Sequence, residues 1–387
     1  MHSFSPIVAR PQARRLAAAG LIGRFRETGI GLAIVLSARD SGYSYAVAGL
    51  AAAVYLVACA ISRPAHGRRI DRAGPTRALL VPSMVNSLAL VALAAAVWQR
   101  AGELVLLGCA ALIGLTLPAL SATLRALWPR VTAGALDATY AFDTLIYEVA
   151  LIASPALVGL IAVQVSVALA LIVLAAAGTI GTAAVSLSPA ARLTGTGRPA
   201  THLRRPLRER VVVLLVAIAF LTGFAEGSMT VLVPGFASSH HEASASGILL
   251  SALAVGSLAG ALGYGLIARH ATWPMRLIAC TAALTVTLTA LPTLARSPVV
   301  FALLLVVVGI ALAPTLTTGF IAIKDAAPPH ALAEAFTWAS FSAAAGSAAA
   351  QALAGQLIAG PGITAALWEP AGATVIALLM ARFTLPP

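Results

Sequence analysis

The run VVVLLVAIAFLTGFAEGSMTVLVPGF, residues 211–236, holds one charge, Glu226. A helix that crosses a hydrocarbon core about 30 Å thick needs roughly 20 mostly apolar residues, and this run supplies them with a margin. Immediately before it comes SPAARLTGTGRPATHLRRPLRER, residues 188–210, which is polar, basic and broken by Pro and Gly. It reads as a linker. Outward from this junction the same alternation continues both ways. Apolar runs fall at 15–37, 44–62, 77–98, 103–126, 134–162, 165–188, 211–236, 245–267, 274–295, 298–323, 331–358 and 363–383. Their length excludes the short alternating strands of a β-barrel. The short links between them imply antiparallel neighbours in a helical bundle. Composition agrees: 60% of the 387 residues are hydrophobic and 10% charged, against about 25% charged in a soluble domain. The sequence therefore predicts an all-α membrane protein with twelve transmembrane helices.

The formal net charge of +12 comes almost wholly from arginine, with Lys324 the sole lysine. In a membrane protein such a balance is a topology signal, not a nucleic-acid surface. Setting aside Arg24 and Arg26 at membrane depth, Arg39, Arg100 and Arg296 fall on one side and the other 20 basic residues on the side of both termini. The positive-inside rule predicts that both ends are cytoplasmic in a multi-pass protein of the cell membrane. Cys59, Cys109 and Cys280 lie inside apolar runs, with no metal-site or disulfide spacing. The first span carries Arg24, Arg26 and Glu27 and lacks a small-residue cleavage site, so it is not expected to be a signal peptide.

The halves on either side of the linker repeat. Gly49 and Gly67 match Gly247 and Gly265, and Pro118 matches Pro314. Ala156-Leu157 and Gly159 match Ala352-Leu353 and Gly355, and Phe25-x-Glu27 matches Phe224-x-Glu226. The offsets lie between 196 and 199 residues, so span n pairs with span n+6 in the same orientation. A parallel duplication follows, with six helices in residues 1–187, a cytoplasmic linker in 188–210 and six helices in 211–387. Such duplications place a substrate site near the midplane between the two bundles.

Between spans two and three stands Gly67-Arg-Arg-Ile-Asp71-Arg72-Ala-Gly74-Pro-Thr-Arg77. It resembles the signature cytoplasmic loop of the major facilitator superfamily at Gly67, Asp71, Arg72, Gly74 and Arg77. The resemblance, taken with twelve spans and a repeat, covers essentially the whole chain. It implies two pseudo-symmetric six-helix bundles, and a loop acting as a conformational latch that favours the outward-facing state. Physically, Gly67 permits close helix approach, Gly74 a tight turn, and Asp71 a charge-assisted contact to a helix start or an Arg. The second half has only Gly265, Arg269 and Arg276 in the matching place, without an acid. Span five holds Ser154-Pro155-Ala-Leu-Val-Gly159, similar to the Gly-Pro motif of the superfamily's drug/proton antiporters, with Ser154 and Val158 replacing glycines. Span four has no intramembrane Arg where those antiporters usually carry one.

Ionisable groups at membrane depth cost roughly 2.5–3.5 kcal/mol each on insertion scales, so each is a candidate for function. Six qualify: Arg24, Arg26, Glu27, Asp143, Glu148 and Glu226. Arg24 and Glu27 are three apart, a spacing that allows a local ion pair, while Arg26 points to another helix or the cavity. Glu226 shares a polar stripe with Thr222 and Thr230. Tyr140, Asp143 and Tyr147 form one stripe of span five, and Glu148 falls on another face. Asp143 is read as bonding Tyr hydroxyls or an Arg, and Glu148, for its depth, is favoured over it as the coupling acid of span five. Glu27, Glu148 and Glu226 are the expected proton or substrate carboxylates, with Arg24 and Arg26 as counter-charges. The superfamily's first, fifth and seventh helices line its central cavity, which implies that Glu27 and Glu226 face each other across it. Burial raises a carboxylate's pKa and a nearby Arg lowers it, so an acid that exchanges its Arg for a proton can couple transport. Pro118, Pro155, Gly159, Pro234 and Pro314 are helix-bending positions.

The resemblance implies a secondary transporter, expected as a monomeric proton-coupled antiporter that exports a small amphipathic molecule by alternating access. Protons, the lipid bilayer and the small molecule are the expected partners, and the proton gradient stands in place of a cofactor. Four acids against two bases favour a cationic or zwitterionic substrate. There is no Walker loop for ATP and no catalytic or metal set, and His240-His241-Glu242 reads as a solvated loop. Two rival readings are an uptake symporter or facilitator, and a non-transporting receptor or scaffold.

Overall fold

In the computed structural model, the described residues are 10–73, 75–132, 136–192, 209–267, 272–327 and 332–384, and among them no strand occurs. The long helices are α1 (Pro11–Asp40), α2 (Tyr45–Ala73), α3 (Pro75–Trp98), α4 (Glu103–Thr116), α5 (Leu120–Thr132), α6 (Leu136–Gln164) and α7 (Val167–Ser186), then α8 (Arg210–Ser239), α9 (Ser246–Ile267), α10 (Trp273–Leu294), α11 (Pro298–Ala326), α12 (Leu332–Ala359) and α13 (Trp368–Thr384). Span four comprises α4 and α5. Span twelve comprises a short turn, Ile363–Ala366, followed by α13. Among the described residues, ten stretches are long and apolar enough to cross a membrane. The other two are α1, diluted by its arginines and Glu27, and α12, diluted by Ser340, Ser342, Ser347, Gln351 and Gln356. Residues 193–208 of the linker lie outside the described residues.

One boundary differs from the sequence reading. The stretch after residue 62, expected as a loop, continues α2 to Ala73, and α3 starts at Pro75. Arginines at 68, 69 and 72 look like loop in a hydropathy profile, yet Arg is a good helix former. The latch segment is thus mostly helical. Gly74 lies outside the described residues, as do the side chains of Asp71 and Arg72, whereas Arg77 is exposed near the start of α3.

The chain clusters into two compact units, one of residues 1–41 and 58–200 and the other of 42–57 and 201–387. In the first, α1 packs along α6 and α7, α3 along α7 and α4, and α5 against α1 and α6. Because lipid is as apolar as Leu, such contacts rest on close packing at small residues. A Cβ on Gly181 of α7 would run into the backbone of Gly23 on α1. In the second unit the same pairs recur six spans later: α8 with α12 and α13, and α10 with α13 and α11. Their seams are again small residues, Gly223 and Gly346 between α8 and α12, Gly256 and Gly309 between α9 and α11. In that unit the Tyr45 hydroxyl donates to the Pro234 carbonyl at 2.8 Å, and Gly49 meets the backbone of Gln351 and Gly355.

The repeat fails at one point. Pro314 sits inside a continuous α11, where Thr315, Thr317 and Thr318 return their hydroxyls to carbonyls of their own helix. Pro118 instead interrupts span four. Leu117 is extended, at φ −61° and ψ 115°, as a residue before proline prefers. The last carbonyls of α4 then lack helical partners, and neighbouring helices supply them. Asn86 Nδ2 donates to Ile113 O at 2.7 Å, Ser62 Oγ to Gly114 O at 3.2 Å, and His66 Nε2 lies 3.0 Å from Leu115 O. Irregular backbone at membrane depth survives where protein satisfies it.

Candidate functional site

The charges of α1 face two ways. Arg24 is 0% exposed, and its Nη2 donates to Asp143 Oδ1 on α6 at 2.7 Å, while Nη1 donates to the Asp143 carbonyl at 3.0 Å. Trp128 Nε1 on α5 donates to the same Oδ1 at 2.7 Å. The guanidinium carbon stands 5.6 Å from the centre of the Tyr147 ring, within cation–π reach. The expected local pair of Arg24 with Glu27 is therefore replaced by a pair between helices. Asp143 offers a carboxylate oxygen and a backbone oxygen together, which suits the guanidinium fork better than one carboxylate on the same helix. Arg26 points toward α3 and α7, donating to Ser83 Oγ at 3.1 Å, Ser87 Oγ at 3.2 Å and Thr182 Oγ1 at 3.2 Å. Gly178 leaves room for it, since a Cβ there would strike the guanidinium.

Glu27 is half-buried, and its Oε2 accepts from Ser121 Oγ at 2.7 Å. Ser121 also accepts from Arg24 Nε at 3.3 Å, so a chain of polar contacts runs Asp143–Arg24–Ser121–Glu27. It borders a cavity of about 370 Å³ between α1, α2, α5 and α6, lined by Glu27, Ser62, Arg63, Pro118, Ser121 and Tyr147 among others. The interruption at Pro118 forms part of its wall, so the broken helix and the polar chain meet at one place.

Glu148, also on α6, has one carboxylate oxygen buried with no hydrogen-bond partner. Pro155 and Gly159 are buried within the same continuous helix, and Ser154 Oγ donates to Phe25 O at 2.6 Å, tying α6 to α1. The Tyr140 side chain lies outside the described residues. In the second unit Thr222 is buried and bonds the Ile218 carbonyl of its own helix, while Glu226 is exposed on α8. Pro234 lies inside α8 without interrupting it.

The model of the Major Facilitator Superfamily matches residues 16–294. The chain belongs to the Major Facilitator Superfamily. A relative in that superfamily is an uncharacterized MFS-type transporter, y4rN, of Sinorhizobium fredii (strain NBRC 101917 / NGR234). It is 29% identical over 252 residues, which are 62% of this chain and 61% of that protein. The chain thus spans about three fifths of the length of that curated relative. Among solved structures, the superfamily fold recurs in the nucleoside transporter NupG, with a TM-score of 0.80 at 12% identity over 97% of this chain and 100% of that one. It recurs in a bacterial homologue of the iron transporter ferroportin, with a TM-score of 0.73 at 16% identity, over 95% of this chain and 97% of that one. The peptide transporter POT gives 0.75 at 17% identity, over 95% and 93%. At these identities the likeness is one of fold.

Two residues of this superfamily member escaped the sequence reading. Glu369, in the first turn of α13, accepts from Ser228 Oγ at 3.5 Å and has its other oxygen buried without a partner. It stands near the start of its span, where an acid reads as interfacial, although the apolar run around it was a signal. Arg63 counted only as a topology charge, yet it lines the cavity with Glu27.

Proposed function

We propose that this member of the superfamily is a secondary transporter, a proton-coupled antiporter of the drug/proton efflux type that exports a small amphipathic molecule. The observation that supports proton coupling best is the Glu148 carboxylate, whose buried oxygen has no hydrogen-bond donor. Asp143, five residues earlier on the same helix, is held by Arg24 and Trp128. An acid locked in an ion pair is a poor proton carrier, because releasing it leaves a buried guanidinium alone. An acid without a partner gains from taking up a proton when its surroundings dry. Glu148 therefore carries the proton in the first unit, and Glu369 is its counterpart in the second. Arg24 and Asp143 hold helices together, and the cavity bordered by Glu27 and Tyr147 receives the substrate.

Both termini are cytoplasmic in this reading, the chain acts alone, and the proton gradient drives the cycle. The test uses everted membrane vesicles acidified inside, with the gradient followed by a quenched acridine dye. Adding an exported compound from a panel of amphipathic amines and zwitterions releases protons and restores fluorescence. Glu148→Gln removes the response, and Glu369→Gln weakens it. An unchanged response in the Glu148→Gln, Glu369→Gln double variant would end the assignment. Uptake in right-side-out vesicles acidified outside would reverse the direction.

A further inference from the structure

The cavity of the first unit joins two side chains of opposite sign. Glu27 borders it from α1 at a half-buried position and Arg63 from α2 at an exposed one. Arg24, one turn before Glu27 on α1, is committed to Asp143, and Arg26, its neighbour in the chain, donates to Ser83, Ser87 and Thr182. Glu27 is met instead by the neutral hydroxyl of Ser121. Among the described residues no ion pair joins Glu27 to Arg63. The wall thus offers an acceptor pole and a donor pole that do not neutralise each other. The first turn of α5, whose leading N–H groups have no acceptors within the helix, borders the same space.

A ligand with a single charge would answer one pole and leave the other desolvated, which costs free energy. A ligand carrying both signs answers both, its carboxylate taking parallel hydrogen bonds from the guanidinium. The volume of about 370 Å³ corresponds to about a dozen waters at roughly 30 Å³ each, the size of an amino acid or a dipeptide.

We infer that the substrate is amphoteric, a small zwitterion whose cationic group is held by Glu27 and whose anionic group is held by Arg63, with its apolar body against Tyr147 and Pro118. This rests on the cavity being the substrate site of the transporter proposed above.

The test is equilibrium binding to the purified full-length chain in detergent, using sets matched in shape and differing in charge. One set is L-phenylalanine, 2-phenylethylamine and 3-phenylpropanoate, and a second has the leucine frame. In at least one set the zwitterion binds tighter than both partners by about tenfold or more, the penalty a site imposes when its polar groups go unanswered. Arg63→Gln erases the advantage over the amine, and Glu27→Gln the advantage over the acid. Zwitterions that bind no better than their amines in the unaltered chain, or that do not bind in either set, overturn the inference. So does a preference untouched by both substitutions. Binding is read without a gradient, so a preserved preference alongside absent proton exchange would fault the coupling and leave the substrate class standing.

Discussion

Arg24 and Asp143 show what a charge inside a membrane bundle has to be given. Neither is more than 1% exposed, and an isolated buried ion would be driven to neutralise itself. The guanidinium has Asp143 Oδ1, the Asp143 carbonyl and Ser121, and the carboxylate has Arg24 and Trp128. Removing one partner exposes the cost. Asp143→Asn leaves a buried guanidinium without a counter-charge, a loss of about 3–5 kcal/mol in comparable pairs. Thermal denaturation in detergent should show a marked fall in melting temperature, and Glu148→Gln should not. Equal effects would mean that Asp143 is no more structural than Glu148. The pairing itself could not be read from spacing. Glu27 is three residues from Arg24, whereas Asp143 is distant in the chain and meets it only once α1 lies on α6. Similarly, Arg63 looked like every other cytoplasmic arginine, because membership of a cavity wall is a property of the packing.

At the scale of elements, apolar length was enough to locate the spans to within several residues, except where charge interrupted one and where Pro118 split another. The helical residues 63–73 were missed because hydropathy reports what lipid tolerates and not what the backbone does beyond the interface. Pro118 and Pro314 teach a related lesson. They occupy matching positions, yet only the first interrupts its helix, and the difference lies in the neighbours. Asn86, Ser62 and His66 stand ready to take the carbonyls of α4. Asn86→Leu should therefore destabilise the first unit by about 1–3 kcal/mol, the cost of an unanswered buried carbonyl. The value should lie toward the low end, because Asn86 Oδ1 is itself buried without a partner. A melting temperature equal to that of the unaltered chain would show that the interruption needs no cap from α3.

At the scale of the whole molecule, the repeat was legible because a duplication leaves matched residues at a nearly constant offset, and both units use the same helix pairs at their seams. The latch expected at Asp71 belongs to this scale, since it would act through the balance of conformations. Losing one charge-assisted hydrogen bond, worth about 1.5–3 kcal/mol, would shift that balance by roughly tenfold or more. Asp71→Asn is expected to slow exchange by that order while leaving ligand affinity within a few-fold in the binding assay. A large affinity loss at normal exchange rate would place Asp71 in recognition instead.

The gap at Leu117–Ala119 divides the allegiance of one transmembrane stretch. Its first rod, α4, is stitched to α2 and α3 by the borrowed caps. Its second rod, α5, is fastened to α1 and α6 through Ser121, Trp128 and a seam of Leu120, Leu124 and Leu127. Any tilt of one helix group against the other must be absorbed at the three residues between them, beside the cavity wall. In the transporter proposed above, a substrate pressing there would act first on a joint inside a single unit.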